Sequence, residues 1–248
     1  MSNSTLEETK ERVTKVIARA GICSRREAEK LIKARRVLIN NNIVDTMGAK
    51  VSIQDEIRVD GEKIPAKEPT KLWRYHKPTG LITTHKDELN RPSVFNSLPK
   101  YLPRVISIGR LDLNSEGLLL LTNDGGLARS MEHPSRGWVR RYRARVHGVF
   151  HEKSFDHLTH GITIDNIHYG PITVKIDRKT KTNSWLNVSL KEGKKREVRI
   201  ILKHLGLSVN RLIRTAYGPF QLGSMKSGEV KDVPKKVLIE QLGKEFGI

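Results

Sequence analysis

The stretch Gly117 to Thr122, GLLLLT, constrains the fold more than any other part of the chain. Four consecutive leucines show no apolar–polar alternation. A strand formed here is apolar on both faces and belongs in a buried position. The turn residues NDGG follow it. Ahead of it, the run RVISI reads as a second strand ending at Gly109. The segment between the two strands holds Arg110 and Asp112. Asp112 therefore falls in a connection at a sheet edge, where backbone can present a side chain to a cleft. For a lone Asp in a loop, capping a turn or a helix start is the competing reading.

The remainder of this half of the chain mixes strand-like runs with few helices. RYRARVHGVF, ITVKI and SWLNVSL read as strands. Helices are expected over Gly126 to Met131, Glu152 to His160, Arg196 to Leu205 and Lys235 to Lys244. Strands adjacent in sequence with helices at irregular intervals predict an α+β fold with a mixed, mainly antiparallel sheet. In the third of these helices Val198, Ile201, Leu202 and Leu205 share one face, and Arg196, Arg199 and Lys203 share the opposite one. Ile200 falls nearer the basic side, which predicts that this side meets a partly buried site.

The amino-terminal part has a different texture. Ala20 and the residues Val13, Val16 and Ile17 fall at helical spacing, with Gly21 as a stop. Ser24 followed by Glu27 predicts a capping box. The helix it opens carries Arg25, Arg26, Lys30, Lys33, Arg35 and Arg36 around Ala28, Leu31 and Ile32. Short alternating pieces with turns at Asn41, Asn42 and Gly61 follow. The expectation is a small two-helix-plus-sheet module over 1–65 with a frayed start to about residue 11. A linker over 66–71 and a second domain over 72–248 complete the predicted organisation.

The chain of 248 residues is long enough for a buried core without disulfide or metal staples. Its one cysteine, Cys23, excludes an intramolecular disulfide and fits a reducing compartment. The polar, acid-containing start lacks the apolar segment of a signal peptide, and no apolar run is long enough to span a bilayer. A cytoplasmic protein is expected, with no membrane partner and a monomer as the default. The formal net charge of +19 points to a polyanionic partner.

Two resemblances sharpen this picture. Residues 12–65 resemble the small RNA-binding module of a ribosomal small-subunit protein, which is attached to many RNA-modifying enzymes. GRLDLNSEGLLLLTNDG resembles the signature of the bacterial pseudouridine synthases that act on ribosomal RNA, and most closely their large-subunit branch. HKPTG (His76 to Gly80), RRYRARVHG (Arg140 to Gly148), EGKKREVRIIL (Glu192 to Leu202) and NRLIRTAYGPFQL (Asn210 to Leu222) are similar to the family's other blocks, in order.

The resemblance implies isomerisation of a uridine to pseudouridine in ribosomal RNA, with base flipping and no cofactor or metal. Asp112 matches the family's catalytic Asp, Tyr142 its stacking aromatic, and Arg199 the basic partner of the Asp. Leu212 matches an apolar residue of the uracil pocket, and Arg110, two residues before Asp112, joins it in the expected substrate pocket. Lys77, Lys195 and Arg196 join the six cations of the amino-terminal helix as expected RNA contacts. Lys195, Ser115 and the spacing of Gly137 to Arg140 depart from the commoner pattern: Ser115 is a mild change, Lys195 bears on RNA contacts, and the Gly137 to Arg140 spacing leaves Tyr142 in register but bears on contacts with the target loop. Naked RNA and an assembling ribosomal subunit remain alternative substrates. A non-catalytic RNA-binding factor in ribosome biogenesis is the competing function, and a metal-dependent nuclease a weaker one. His147, His151, His157 and His160 cross a strand-to-helix join and are not expected to hold zinc.

Overall fold

A computed structural model describes residues 10–180 and 182–243. It divides into two compact units between Pro69 and Thr70. The expected frayed start lies almost wholly outside the described residues, as does the last residue of the helix predicted to reach Lys244.

In the first unit, helices α1 (Val13–Arg19) and α2 (Arg25–Lys33) lie against a small sheet. Its strands are β2 (Val37–Ile39), β3 (Asn42–Ile43), β5 (Ile57–Val59) and β6 (Glu62–Lys63), in spatial order β3-β2-β5-β6, all antiparallel. A separate pair joins β1 (Glu11–Arg12) to β4 (Lys50–Val51). Val13, Ile17, Ala28, Ile32, Val37, Val51, Ile57 and Val59 form the core. The predicted capping box is present. The Glu27 amide donates to Ser24 Oγ at 3.2 Å, and the Ser24 amide to Glu27 Oε2 at 2.8 Å. All six predicted cations of this segment are exposed. Arg36 is drawn into a two-pronged pair with Asp60 (2.5 and 2.7 Å), whereas the other five form no ion pair among the described residues.

The second unit is built on one mixed sheet. Its strands are β7 (Leu72–Lys77), β8 (Ile106–Ile108), β9 (Glu116–Thr122), β10 (Arg140–His147), β13 (Ile172–Lys179), β14 (Asn183–Leu190), β15 (Ser208–Tyr217), β16 (Phe220–Gln221) and β17 (Val230–Asp232). The main order is β13-β14-β10-β15-β9-β7-β17, with β16 on β15 and β8 on β9. A small hairpin, β11 (Ile162–Ile164) and β12 (Ile167–Tyr169), stands apart. Every pairing is antiparallel except β15 with β9. That parallel contact sets Arg214 opposite Gly117, whose φ is +105°. A Cβ on Gly117 would stand 2.4 Å from the Arg214 carbonyl oxygen, so only glycine permits this approach.

β9 is buried on both faces, as the leucine run requires. Leu118 and Leu120 pack into a cluster with helices α3 (Gly125–Glu132) and α5 (Lys235–Leu242). Leu119 and Leu121 pack on the other side with Trp73, Tyr75, Val94, Val105 and Leu111. A further cluster forms under helix α4 (Glu197–His204), from Val198, Ile201, Leu202, Leu207 and Leu212 with β10 and β14.

Several features differ from the sequence expectation, the following three among them. Glu152–His160 is a run of 3-10 turns rather than an α-helix. Its two buried residues, Phe155 and Leu158, are three apart, the spacing that a three-residue turn eclipses. β15, ten residues long and central, was not among the expected strands because Asn210, Arg211, Arg214 and Thr215 break its apolar alternation. Thr70 and Lys71, expected in a linker, are bonded into the second unit through Asp124, Asn123 and Thr122.

Candidate active site

The loop joining β8 to β9 is held by its own backbone. Each carbonyl from Arg110 to Ser115 accepts a hydrogen bond. Arg110 accepts from Arg214 Nη1 at 3.5 Å, and Leu111 from Thr83 Oγ1 at 2.9 Å. Asp112 accepts from Lys77 Nζ at 3.2 Å and from the Ser115 amide at 3.0 Å. Leu113 accepts from the Gly80 amide at 2.9 Å. Asn114 accepts from Arg199 Nη2 at 2.8 Å, and Ser115 from Lys77 Nζ at 2.8 Å. The Asp112 carboxylate, in contrast, is exposed and takes no hydrogen bond or ion pair among the described residues. Three cations from distant strands and a helix are thus spent on holding the loop, and the acid they surround is left open.

Lys77 is a correction to the sequence expectation. Expected as an RNA contact, it is wholly buried. It ends β7 at a position in phase with the inward-facing Trp73 and Tyr75, so its side chain runs beneath the loop. Its three ammonium hydrogens meet three carbonyls, those of Pro78, Asp112 and Ser115. Burial pulls its pKa down to about 8, against the charges of Asp112 and Glu116, which favour the ammonium.

Arg214 went unrecognised in the sequence. It is buried, donates from Nε to the Leu118 carbonyl at 2.7 Å, and lies over the Tyr217 ring at 5.3 Å. Its signal, like that of Lys77, is a cation in phase with the inward residues of its strand, here Leu212 and Ala216. Glu116, at the far end of the loop, pairs with Arg211.

Arg199 projects from α4 toward the loop, as its basic side predicted, yet it does not pair directly with the Asp112 carboxylate. It bridges the carbonyls of Val209 (2.9 Å) and Asn114 (2.8 Å). Its pKa is lowered by burial and by neighbouring Arg196, while the Asp112 charge opposes the shift. Tyr142 lies half-buried on β10, opposite Arg214 of β15. It packs against both the cluster of Leu212 and that of Leu111, the residue before Asp112. Leu212 is buried on β15, Arg110 exposed on the loop, and Lys195 and Arg196 exposed just ahead of α4. The second unit therefore gathers Asp112, Arg199, Tyr142 and Leu212 around the junction of β9, β10 and β15, with Lys77 and Arg214 beneath. No group of three or more His, Cys, Asp or Glu among the described residues is arranged to hold a metal ion.

A carboxylate without a partner among the described residues, on a loop whose carbonyls are held by cations and whose Leu111 shares a cluster with a half-buried aromatic, is equipped for work on an anionic, base-bearing substrate. Comparison with known proteins identifies the class. Residues 71–204 match the RNA pseudouridylate synthase family, and residues 11–57 match the S4 domain. The chain belongs to the RNA pseudouridylate synthases and carries an amino-terminal S4 domain. It is 50% identical over 230 residues to an uncharacterised RNA pseudouridine synthase of Rickettsia bellii, covering 92% of this chain and 98% of the relative. It is 41% identical over 219 residues to ribosomal large subunit pseudouridine synthase B of Salmonella typhi, covering 86% of this chain and 75% of that one. The crystal structure of a pseudouridylate synthase superposes with a TM-score of 0.64 at 26% identity, covering 93% of this chain and 99% of that one. The protein is an RNA-modifying isomerase.

Proposed function

We propose that this enzyme converts a specific uridine of ribosomal RNA, in the large subunit, to pseudouridine, with Asp112 as the catalytic residue. The observation that carries the assignment is the open Asp112 carboxylate on a loop whose every carbonyl from 110 to 115 is clamped. The likeness to a large-subunit synthase supports the choice of RNA. The cytoplasm is the compartment in which such RNA is met.

The reaction breaks the glycosidic C–N bond, turns the uracil, and forms a C–C bond to the same ribose. It needs a carboxylate near the anomeric carbon, as nucleophile there or as base at the neighbouring ribose carbon. One carboxylate serves both halves because nothing is added and nothing is oxidised. Base extrusion costs a few kcal/mol, and stacking on Tyr142 returns about 1–3 kcal/mol. Lys77, Arg199 and Arg214 keep the loop from moving as charge shifts at the carboxylate, which is electrostatic preorganisation. The S4 domain, with five cations on and after α2 that form no ion pair among the described residues, captures folded RNA through its phosphates.

The test uses ribosomal RNA transcripts tritiated at uracil C5. Wild-type protein should release tritium with the chains intact, and Asp112→Asn should bind RNA while releasing none. Release at the wild-type rate by Asp112→Asn would remove Asp112 from the chemistry. Binding without release by the wild type, on naked RNA and on immature subunits alike, would favour a non-catalytic assembly role.

A further inference from the structure

Beside α4 lies an open cavity of about 360 Å³, walled by Arg196, Arg199, Lys203 and the Gly206–Val209 turn. We propose that this cavity is a subsite for a backbone phosphodiester of the RNA strand flanking the target nucleotide, held by Arg196, Lys203 and the Ser208 hydroxyl. The proposal rests on the isomerase assignment for the direction of the strand, and on the cavity itself for its chemistry.

The charge pattern points to an anion. Three cations face the cavity and no carboxylate lines it. Some cations of the same unit are met by an acid, Arg143 by Asp177, Lys194 by Glu192, Arg211 by Glu116 and Lys231 by Glu229, but no acid joins the three that share this wall. Arg196 and Lys203 have no ion pair among the described residues. Arg199 feels the crowding, because Arg196 adds to burial in lowering its pKa. Like charges left together on a concave wall are unfavourable until an anion enters between them.

The donors are divided. Two of Arg199's nitrogens are committed to the Val209 and Asn114 carbonyls, so that residue contributes mainly field. Arg196 and Lys203 keep their donors for a ligand. The lining contains no aromatic ring on which a base could stack. Phosphate and ribose are therefore the fitting part of a nucleotide. The same Arg199 fork spans from the cavity wall to the loop two residues beyond Asp112, which limits the occupant to a near neighbour of the target.

The walls are rigid before any ligand arrives. Arg196 sits in the left-handed region, φ 54°, in a turn closed by the Lys194 amide on the Glu197 carboxylate at 2.9 Å. At the other end, α4 stops in a Schellman motif. The Leu207 amide donates to the Leu202 carbonyl and the Gly206 amide to that of Lys203, both at 2.9 Å, with Leu202 and Leu207 buried together. This lock carries Ser208 to the cavity beside Lys203.

The test measures binding of a short fluorescein-labelled oligouridylate by the full-length protein across a salt series. For single strands each neutralised phosphate contributes about 0.7 to the slope of log K against log salt. The Arg196→Gln/Lys203→Gln double variant should lose about that amount and bind more weakly. Lys236→Gln, which removes an exposed charge on α5, should lose less. An oligonucleotide with uncharged methylphosphonate linkages should bind wild type and double variant equally. An unchanged slope in the double variant would overturn the subsite. So would an equal loss in Lys236→Gln, which would mean a general charge effect. Inorganic phosphate that occupies the cavity, seen by amide shifts in Gly206 to Val209, without displacing the oligonucleotide would mark a small-anion site instead. Tritium release by the wild type, measured in parallel, reports on the isomerase assignment separately, since a lost slope stands whether or not tritium is released.

Discussion

Replacing Lys77 with methionine removes the buried ammonium and keeps the volume of its side chain. Two effects oppose each other. The lowering of its pKa from 10.5 to about 8 means that holding the charge in place costs about 3 kcal/mol. Lys77→Met removes that cost. Against this, the carbonyls of Pro78 and Ser115 lose their Lys77 donor, while that of Asp112 keeps the Ser115 amide. A buried acceptor without a partner costs about 1–3 kcal/mol, and the part-buried Pro78 carbonyl costs from little to that much, so the two cost about 1–6 kcal/mol. The net change in stability should be small, from about −2 to about +3 kcal/mol of destabilisation, and readable in a urea melt. Activity should suffer more. Asp112 and Ser115 are no longer pinned to one point, and a displacement near 1 Å can cost about a hundredfold in rate. The expected result is a near-native melt with kcat down by about tenfold to a hundredfold. The pH dependence adds a second check. Between about 8 and 10.5 the unfolded chain holds the Lys77 proton and the folded chain does not, so stability rises with pH in that window. Activity should move the other way and fall through about pH 8, because a neutral amine offers two hydrogens to three carbonyls. Both trends should vanish in Lys77→Met. A variant with wild-type kcat and an unaltered pH profile would refute the idea that Lys77 positions the loop that carries Asp112.

Gly117→Ala should destabilise the second unit by about 3 kcal/mol or more, since its Cβ meets the Arg214 backbone at 2.4–3.0 Å in a left-handed conformation. A urea midpoint within error of wild type would mean that β9 and β15 can separate without cost. Tyr142→Phe should retain RNA affinity, because the ring stays, while turnover in the tritium assay falls; full turnover would make the hydroxyl dispensable. Exchanging Arg25, Arg26, Lys30 and Lys33 for Gln should reduce the salt slope for ribosomal RNA binding by up to about 0.9 per lost contact. An unchanged slope would show that the S4 domain's exposed helix does not meet phosphate.

Much of this protein was legible before any coordinates. The leucine run demanded a strand covered on both faces, and β9 divides its leucines between two clusters because side chains alternate along a strand. Ser24 and Glu27 are three residues apart, so their capping box is a local matter. The basic side of α4 followed from helical periodicity, and it does line a cavity. The family motifs, read in order, led to the right enzyme class. What could not be read was which cation serves which oxygen. Lys77 and Asp112 are 35 residues apart, Arg199 and Asn114 85, and Arg214 and Arg110 104. Charge made Lys77 an expected RNA contact, and the family resemblance made Arg199 an expected partner of the acid. Chain folding decided otherwise. The backbone carbonyls between β8 and β9 lack strand partners, and leaving the buried one of Ser115 and the part-buried ones of Arg110, Leu111 and Asp112 without donors is costly. The cations that arrive there satisfy the loop rather than the acid. Sequence determined most of the elements, the charge and the family; only the tertiary structure decided that the Asp112 carboxylate stands open, because that depends on where the surrounding donors are spent.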